Sequence, residues 1–393
     1  MSYPLAMLGT VATFINGDRG KNYPSKGSFI DDGIPFISAG NLSGGLLNVS
    51  SFNYISDERF DLLSNGKVKN GDILFCLRGS LGKFAVVKNL DRGAIASSLI
   101  IIRNNDNVLL SFLKHYLSSP LCRREIDEFE NGAAQPNLSA KDLKSFKIPL
   151  PPLKEQKKIA EILDAADSLR QKDKQLVEHY DRLSQSLFLD MFGDPVTNPK
   201  NWEKVDFASI GTLERGKSKH RPRNDPALLG GEYPLIQTGD VANSNGYLTT
   251  YKSTYSELGL KQSKIWLAGT LCITIAANIA KTGILTFDAC FPDSVVGFIN
   301  NDKSNIEYVK FWMGFLQKTL EDSAPMAAQK NINLKILREL EVPLPPIDLQ
   351  NLFGERLIKI EKQKTLAQQA LKKSEDLFNS LLQQAFKGEL TNR

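Results

Sequence analysis

Histidine is scarce in this chain: His115, His179 and His220 are the only three in 393 residues. They are too few and too scattered for a histidine-rich metal centre or a nucleophile–base pair. The four cysteines, Cys76, Cys122, Cys272 and Cys290, show no C-x-x-C or other ligand spacing. They read as reduced thiols of a cytoplasmic protein, with no metal and no disulfide expected. Long apolar runs are missing too. The most apolar stretch, Leu271–Ala280, is about half the ~20 residues that a membrane helix needs. The opening MSYPLAMLGTV lacks the charged and uninterrupted apolar regions of a signal peptide. Catalytic signatures are absent as well. There is no Asp-Pro-Pro-Tyr or Asn-Pro-Pro-Phe tetrapeptide of amino-group methylation, no nuclease carboxylate cluster and no Ser-His-Asp set. A large chain without chemistry of its own reads as a recogniser or a scaffold.

What is present suits two well-formed domains. The length exceeds one ordinary core, and 41% hydrophobic with 24% charged residues is a globular composition. The net charge of +5 permits nucleic acid as a partner without demanding it, because clustering matters more than the sum.

The dominant feature is an internal repeat. Residues 133–156, AAQPNLSAKDLKSFKIPLPPLKEQ, align without a gap on 327–350, AAQKNINLKILRELEVPLPPIDLQ, with 11 identities in 24. The repeat extends upstream, with Phe36–Asn41 on Leu235–Asp240 and Val68–Leu74 on Ile265–Leu271. The offset drifts from 199 to 194, so the two copies differ by small loop insertions and deletions. Two heads with a shared frame and divergent loops are expected where loops carry function on a common scaffold.

Within each head, short β-branched runs read as strands: 73–77, 84–87 and 99–102 in the first, 271–275, 283–287 and 295–299 in the second. A helix follows in each, near Leu109–Leu117 and Glu307–Leu320. Each head then stops at a proline cluster, Pro149-Leu150-Pro151-Pro152 or Pro343-Leu344-Pro345-Pro346. A long helix begins directly afterwards, with Asp348 as a candidate N-cap for the second. In the first helix Ile159, Ile162, Ala166, Leu169, Leu176, Tyr180, Leu183 and Leu187 recur at 3–4 spacing, with Asp173 as the polar exception. The second carries Phe353, Leu357, Ile360, Ala367, Leu371, Phe378, Leu381 and Ala385, interrupted by Lys364 and Ser374. Helices this long need a partner along their length, and the other copy is already tethered; packing of each helix on its own head is the bland alternative. The expected fold is therefore α+β: two duplicated heads joined by two long helices forming an antiparallel coiled coil. The boundaries are 1–150, 151–195, 196–345 and 346–393, for head, spacer helix, head and spacer helix.

Gly211–Ser218 matches the phosphate-loop expression, yet Pro222 and Pro226 forbid the helix that such a loop must open. What remains is a basic loop with Arg215, Lys217, Lys219, Arg221 and Arg223, matched in the first head by Arg19, Lys21 and Lys26. Such side chains neutralise phosphates, and Arg can read guanine edges bidentately. A solvated charged face is the bland reading, and recurrence at one place in both heads favours nucleic acid. The polar turns that carry Arg78, Ser80 and Lys83, and Asn278 and Lys281, are second candidates that ordinary hairpin turns would also explain.

The runs PLPPLKEQKKIAEILDAADSL and PLPPIDLQNLFGERL resemble the shared regions of specificity (S) subunits of type I restriction-modification systems, and the likeness covers essentially the whole chain. The second copy departs from the pattern at Leu349, where the first has Glu155. The resemblance implies that each head is a target recognition domain for one half of a bipartite, asymmetric site in double-stranded DNA. It implies that the spacer helices fix the gap, and that two modification subunits dock on this chain and methylate adenines. Restriction subunits would join them. S-adenosylmethionine, ATP and Mg would be bound by those partners, and no cofactor by this chain. A protein-interaction scaffold without DNA specificity, and a stand-alone enzyme with an unfamiliar site, are the rival readings.

Overall fold

The structure is a computed structural model that describes residues 3–130, 136–220, 222–276, 279–323 and 333–391. The chain divides into two compact units, Met1–Lys174 with Gln369–Arg393, and Gln175–Gln368. The principal elements are β1 (Ala12–Asn16), β2 (Ile73–Cys76), β3 (Phe84–Val86), β4 (Leu99–Asn104), α1 (Leu110–Leu117), α2 (Pro120–Phe129) and α3 (Leu153–Phe192). Then come β5 (Gly211–Arg215), β6 (Gly246–Leu248), β7 (Leu271–Thr274), β8 (Thr282–Leu285), β9 (Val295–Asn300), α4 (Ile306–Ser323) and α5 (Ile347–Lys387).

The first unit is built on a four-stranded sheet in the order β1-β4-β2-β3, with every neighbour antiparallel. Its central strand is buried on both faces, which is why it reads as an unbroken apolar run rather than an alternating one. Ile100 and Ile102 face α1 and Phe112, whereas Leu99 and Ile101 face Ile37, Val68 and Val87 on the opposite side. A second, smaller sheet pairs Ile34–Ile37 with Asn53–Ile55 antiparallel and with Ala94–Ile95 parallel.

The second unit repeats this plan with one strand more, in the order β5-β9-β7-β8-β6, where β6 joins β8 in parallel. Its small sheet pairs Leu229–Leu235 with Ser253–Tyr255 antiparallel and with Ala289–Cys290 parallel. Even the proline clusters are treated alike. Lys147–Pro149 pairs with Leu5–Met7, and Glu341–Pro343 with Lys204–Asp206. Sequence patterning does not reveal these two ribbons, because three-residue strands beside prolines carry no periodic signal.

Each long helix contributes half its length to each unit. In the first unit Ile159, Leu163 and Ala166 of α3 share a core with Phe378, Leu382 and Ala385 of α5, and Arg170 lies over the Phe378 ring at 4.6 Å. In the second, the Lys364 ammonium meets Asp181 at 2.6 Å, and Phe188 packs on Phe353 with ring centroids 5.6 Å apart. Rising numbers on α3 meet falling numbers on α5 in both units, so the pair runs antiparallel. At 40 and 41 residues the helices are each on the order of 60 Å long.

The apolar stripe read from the sequence is corrected here. Of the positions that spacing places between the helices, Ile159, Ala166, Phe353, Leu357, Ala367, Phe378 and Ala385 are buried, but Ile162, Leu169, Leu176 and Leu183 are 38–47% exposed. The buried line of α3 runs through Gln156, Ile159, Leu163, Ala166 and Ser184, and that of α5 through Gln350, Leu357, Lys364, Ala367 and Ser374. A seam of period 3.5 tolerates polar residues that find partners, and such residues fix register at some loss of stability. Lys364 and Ser374, which look like interruptions in the sequence, are seam residues. Leu187, Ile360, Leu371 and Leu381 flank the seam half-buried. Asp348 lies one residue inside α5 rather than at its cap.

Candidate nucleic-acid interface

The strand registers decide which loops lie together. In the first head, Asn16 pairs with Ile100, Cys76 with Leu99, and Phe75 with Phe84. The loop after β1, the turn between β2 and β3, and the approach to β4 therefore all leave one end of the sheet. In the second head Arg215 pairs with Val296, Thr274 with Val295, and Ile273 with Thr282, which gathers the corresponding three segments. The segments that carry the two classes of described candidate, some 50–65 positions apart in the sequence, thus leave the same sheet end in each head.

Each basic loop starts at a glycine pressed against the backbone of the neighbouring segment. A Cβ on Gly17 would lie 2.7 Å from the Ala96 carbonyl oxygen, and one on Gly216 only 2.3 Å from that of Phe291. In the first head the loop is then held by Asp18. Its buried carboxylate accepts hydrogen bonds from the Gly20 N–H (2.6 Å), the Ser64 N–H (2.7 Å) and the Ser64 hydroxyl (2.8 Å). These bonds, that from Gly20 first, hold its pKa below the ordinary Asp value. Arg19 is exposed and donates weakly to the Ser97 carbonyl (3.4 Å), and Lys21 is exposed.

The second loop is held differently. Arg223 donates to Asp293 at 2.5 Å, and the Arg215 Nε donates to the Asp293 carbonyl at 2.9 Å. His220 meets Asp225 at 3.0 Å, and Ser263 donates to the Lys217 carbonyl. Lys217 and Lys219 are exposed. The loop is consequently less positive than its sequence suggests, since Asp293 and Asp225 lie within it. Strand β5 ends at Arg215 and no helix opens after Gly216, so the phosphate-loop reading fails as expected. Arg221 and Asn278 lie outside the described residues, as do the side chain of Lys26 and the repeated segments 131–135 and 324–332.

The turns differ more than the sequence suggests. Arg78, Ser80 and Lys83 are exposed at the sheet end. Lys281, by contrast, is half-buried and lines a cavity of about 460 Å³ with Asp181, Gln185, Lys310, Glu361 and Lys364. It lies toward the long helices, where α3 and α5 bring the carboxylates of Asp181 and Glu361. One residue at the first sheet end was not singled out from the sequence. Asn137 forms an antiparallel bridge with Arg78, and its side chain accepts from the Arg78 Nε at 3.2 Å. The duplication of its motif at 133–137 was the signal available for finding it.

The four cysteines are buried, and burial raises every thiol above its ordinary pKa, which makes each a poor nucleophile. Among the described residues no group of three His, Cys, Asp or Glu could hold a metal ion. No described helix is long and apolar enough to cross a membrane.

Known proteins resemble this chain over most of its length. The family model described as the type I restriction modification DNA specificity domain matches twice, over residues 7–179 and 199–374. The EcoKI specificity subunit of Escherichia coli is 24% identical over 426 residues, covering 98% of this chain and 89% of its own length. The type I restriction enzyme MjaVIII specificity subunit of Methanocaldococcus jannaschii is 24% identical, covering 83% of this chain and 79% of its own length. The crystal structure of the type I restriction-modification S subunit from M. genitalium superposes with a TM-score of 0.60 at 16% identity, over 98% of this chain and 96% of that one.

Proposed function

The chain belongs to the type I restriction modification DNA specificity family, and from that premise we propose how it reads DNA. Each head lays the loop-bearing end of its sheet on one half of a bipartite, asymmetric site in a duplex. Lys217 and Lys219, with Arg215 and Arg223, serve the second head; Arg19, Lys21, Arg78 and Lys83 serve the first. Lysines exposed beside the sheet end neutralise phosphates and release counterions, and arginines held by a neighbouring acceptor are oriented for base edges. The observation that carries this reading is the recurrence of an exposed basic loop, launched from a close-packed glycine, at the same sheet end of both heads.

Family membership sets aside the protein-interaction scaffold. The further roles are proposals that go with the specificity role. Two modification subunits dock on this chain and methylate an adenine in each half-site, using S-adenosylmethionine, after the base has left the stack. Restriction subunits hydrolyse ATP with Mg. This chain places the DNA and performs no chemistry, and the complex works in the cytoplasm. The antiparallel helices set the gap between half-sites, and the exposed Ile162, Leu169, Leu176 and Leu183 of α3 are available to partner subunits.

Methylation mapping tests this directly. The chain is co-expressed with its modification subunit and the host genome is sequenced for methylated adenines. A gapped two-part motif that requires this chain is expected. Replacing Arg215, Lys217 and Lys219 together by Ala weakens binding to a duplex of that motif and flattens the salt slope by about 0.9 for each phosphate no longer neutralised. No new methylation by an assembled complex, or an unchanged slope, rejects the reading.

A further inference from the structure

The motif Ala-Ala-Gln-x-Asn is written twice in the sequence, at 133–137 and at 327–331. The strands beside it differ freely: Leu99-Ile100-Ile101-Ile102 in one head is Val295-Val296-Gly297-Phe298 in the other. A segment kept alike in sequence while packed strands drift is held by something other than core packing. In the first head, Pro136–Leu138 extends the sheet end by a short ribbon. The Gly79 N–H donates to the Pro136 carbonyl at 3.0 Å, and the Leu138 N–H to the Leu77 carbonyl at 2.9 Å. Leu138 is buried in the core, and Ser139 caps the helix that follows by accepting from the Asp142 N–H. Asn137 is thus fixed on both sides.

Opposite it, Arg78 sits at the start of a turn whose Gly79 and Gly82 both have φ near +79°, a conformation that suits glycine. The turn is pinned further by the Cys76 thiol, which donates to the Arg78 carbonyl. Backbone and Nε of Arg78 are therefore both tied, the latter to the Asn137 Oδ1. An arginine held through Nε presents its two terminal nitrogens end-on, the fork that matches a phosphate or the O6 and N7 of guanine. A long, freely rotating side chain otherwise has to be ordered when DNA arrives.

We propose that Asn137 is the positioning residue that aims Arg78 at DNA, and that this pair sets specificity at one place in one half-site. The proposal rests on the sheet end being the DNA-binding face. Asn137 itself acts through Arg78.

The test uses the complete chain assembled with its modification subunits and a labelled duplex carrying the mapped motif. Asn137→Ala is expected to raise the Kd about 2- to 10-fold, the range of one lost hydrogen bond. It relaxes the methylated motif in one half only, so the half-site read by the other head serves as the internal control for folding. Arg78→Ala weakens binding more. Adding Asn137→Ala to Arg78→Ala, or to Arg78→Lys, which lacks the Nε donor, changes nothing further. Full additivity of the two substitutions, or relaxation of both half-sites, overturns the proposal. If Asn137→Ala is silent while Arg78→Ala weakens binding, the proposal fails and the DNA-binding face stands. If Arg78→Ala is silent as well, both the proposal and this turn's place in the interface fall, whereas the basic-loop variants test the face independently.

Discussion

One layer of packing is solved twice, in opposite ways, by the two heads. In the first, Val68 and Ile101 are medium-sized neighbours in the core between the two sheets. At the corresponding places the second head has Trp266 and Gly297. The indole fills the space that the missing side chain leaves: a Cβ on Gly297 would stand 2.5 Å from the Trp266 ring. The ring also stacks on Phe291 at 4.7 Å. Volume has moved from one strand to its neighbour while the frame has stayed. Total volume and patterning are what the frame requires, and the identity of each side chain is negotiable. Loops at the sheet end face no such constraint, which is why Asp18 holds one and Asp293 the other.

The comparison breaks most sharply at Gly297. Gly297→Ile alone overpacks the layer, and Trp266→Val alone leaves a cavity that costs about 3–5 kcal/mol. The double substitution installs the first head's pair and is expected to recover most of the loss. Urea unfolding of the full chain, followed by tryptophan fluorescence, to which Trp202 and Trp312 of the same unit contribute in every variant, measures this. A double variant no more stable than the worse single one would mean that the two frames are not equivalent there.

Asp18 is the sharper test of the loops. Its carboxylate serves three donors, and its counterpart by position is Lys217, which has no such part. Asp18→Ala leaves those donors without their acceptor and is expected to destabilise the first unit by about 1–3 kcal/mol. Lys217→Ala leaves the second unit's stability nearly unchanged while weakening DNA binding. With the folded pKa below the unfolded value, Asp18 stabilises the fold above that value and its contribution is lost as pH falls through the folded one. Equal losses of stability at the two positions would show that the loops are held alike after all.

Much of this was legible in the sequence, and the parts that were not share a physical cause. The repeat announced two heads, the runs at 73–77 and 271–275 marked central strands, and the proline clusters marked where α3 and α5 begin. Period 3–4 found the helices but chose the wrong face at Ile162 and Leu169, because apolar residues recur on the exposed side and polar ones lie in the seam. Hydropathy has no means of knowing that Lys364 would meet Asp181. Which loops share a sheet end depends on strand register, set by pairings between residues more than 80 positions apart, such as Asn16 with Ile100 and Arg215 with Val296. For the same reason the sequence offered Arg78 and left Asn137 as one letter of a repeated motif.

The smallest expected effect concerns a place where the first helix of each head meets the long helices. His115 is buried in the first head, where the second has Phe311 at the matching position. Its Nε2 lies 2.8 Å from Asp164, which also takes Lys114 at 2.7 Å, and its ring packs 6.1 Å from that of Phe378. Burial and the Lys114 ammonium lower its pKa, and the carboxylates of Asp164 and Asp167 only partly oppose them. The folded imidazole is therefore neutral at a pH where the unfolded one, near 6.5, takes up a proton. The unfolded state then binds more protons, so the first unit loses stability as pH falls through about 6.5 toward the lower folded value. A fall in melting temperature of about 2–4 °C between pH 7 and pH 5.5 is expected for that unit. His115→Phe, the second head's own solution, removes this slope and leaves Lys114 paired with Asp164. An undiminished slope in that variant would assign the acid sensitivity to another group.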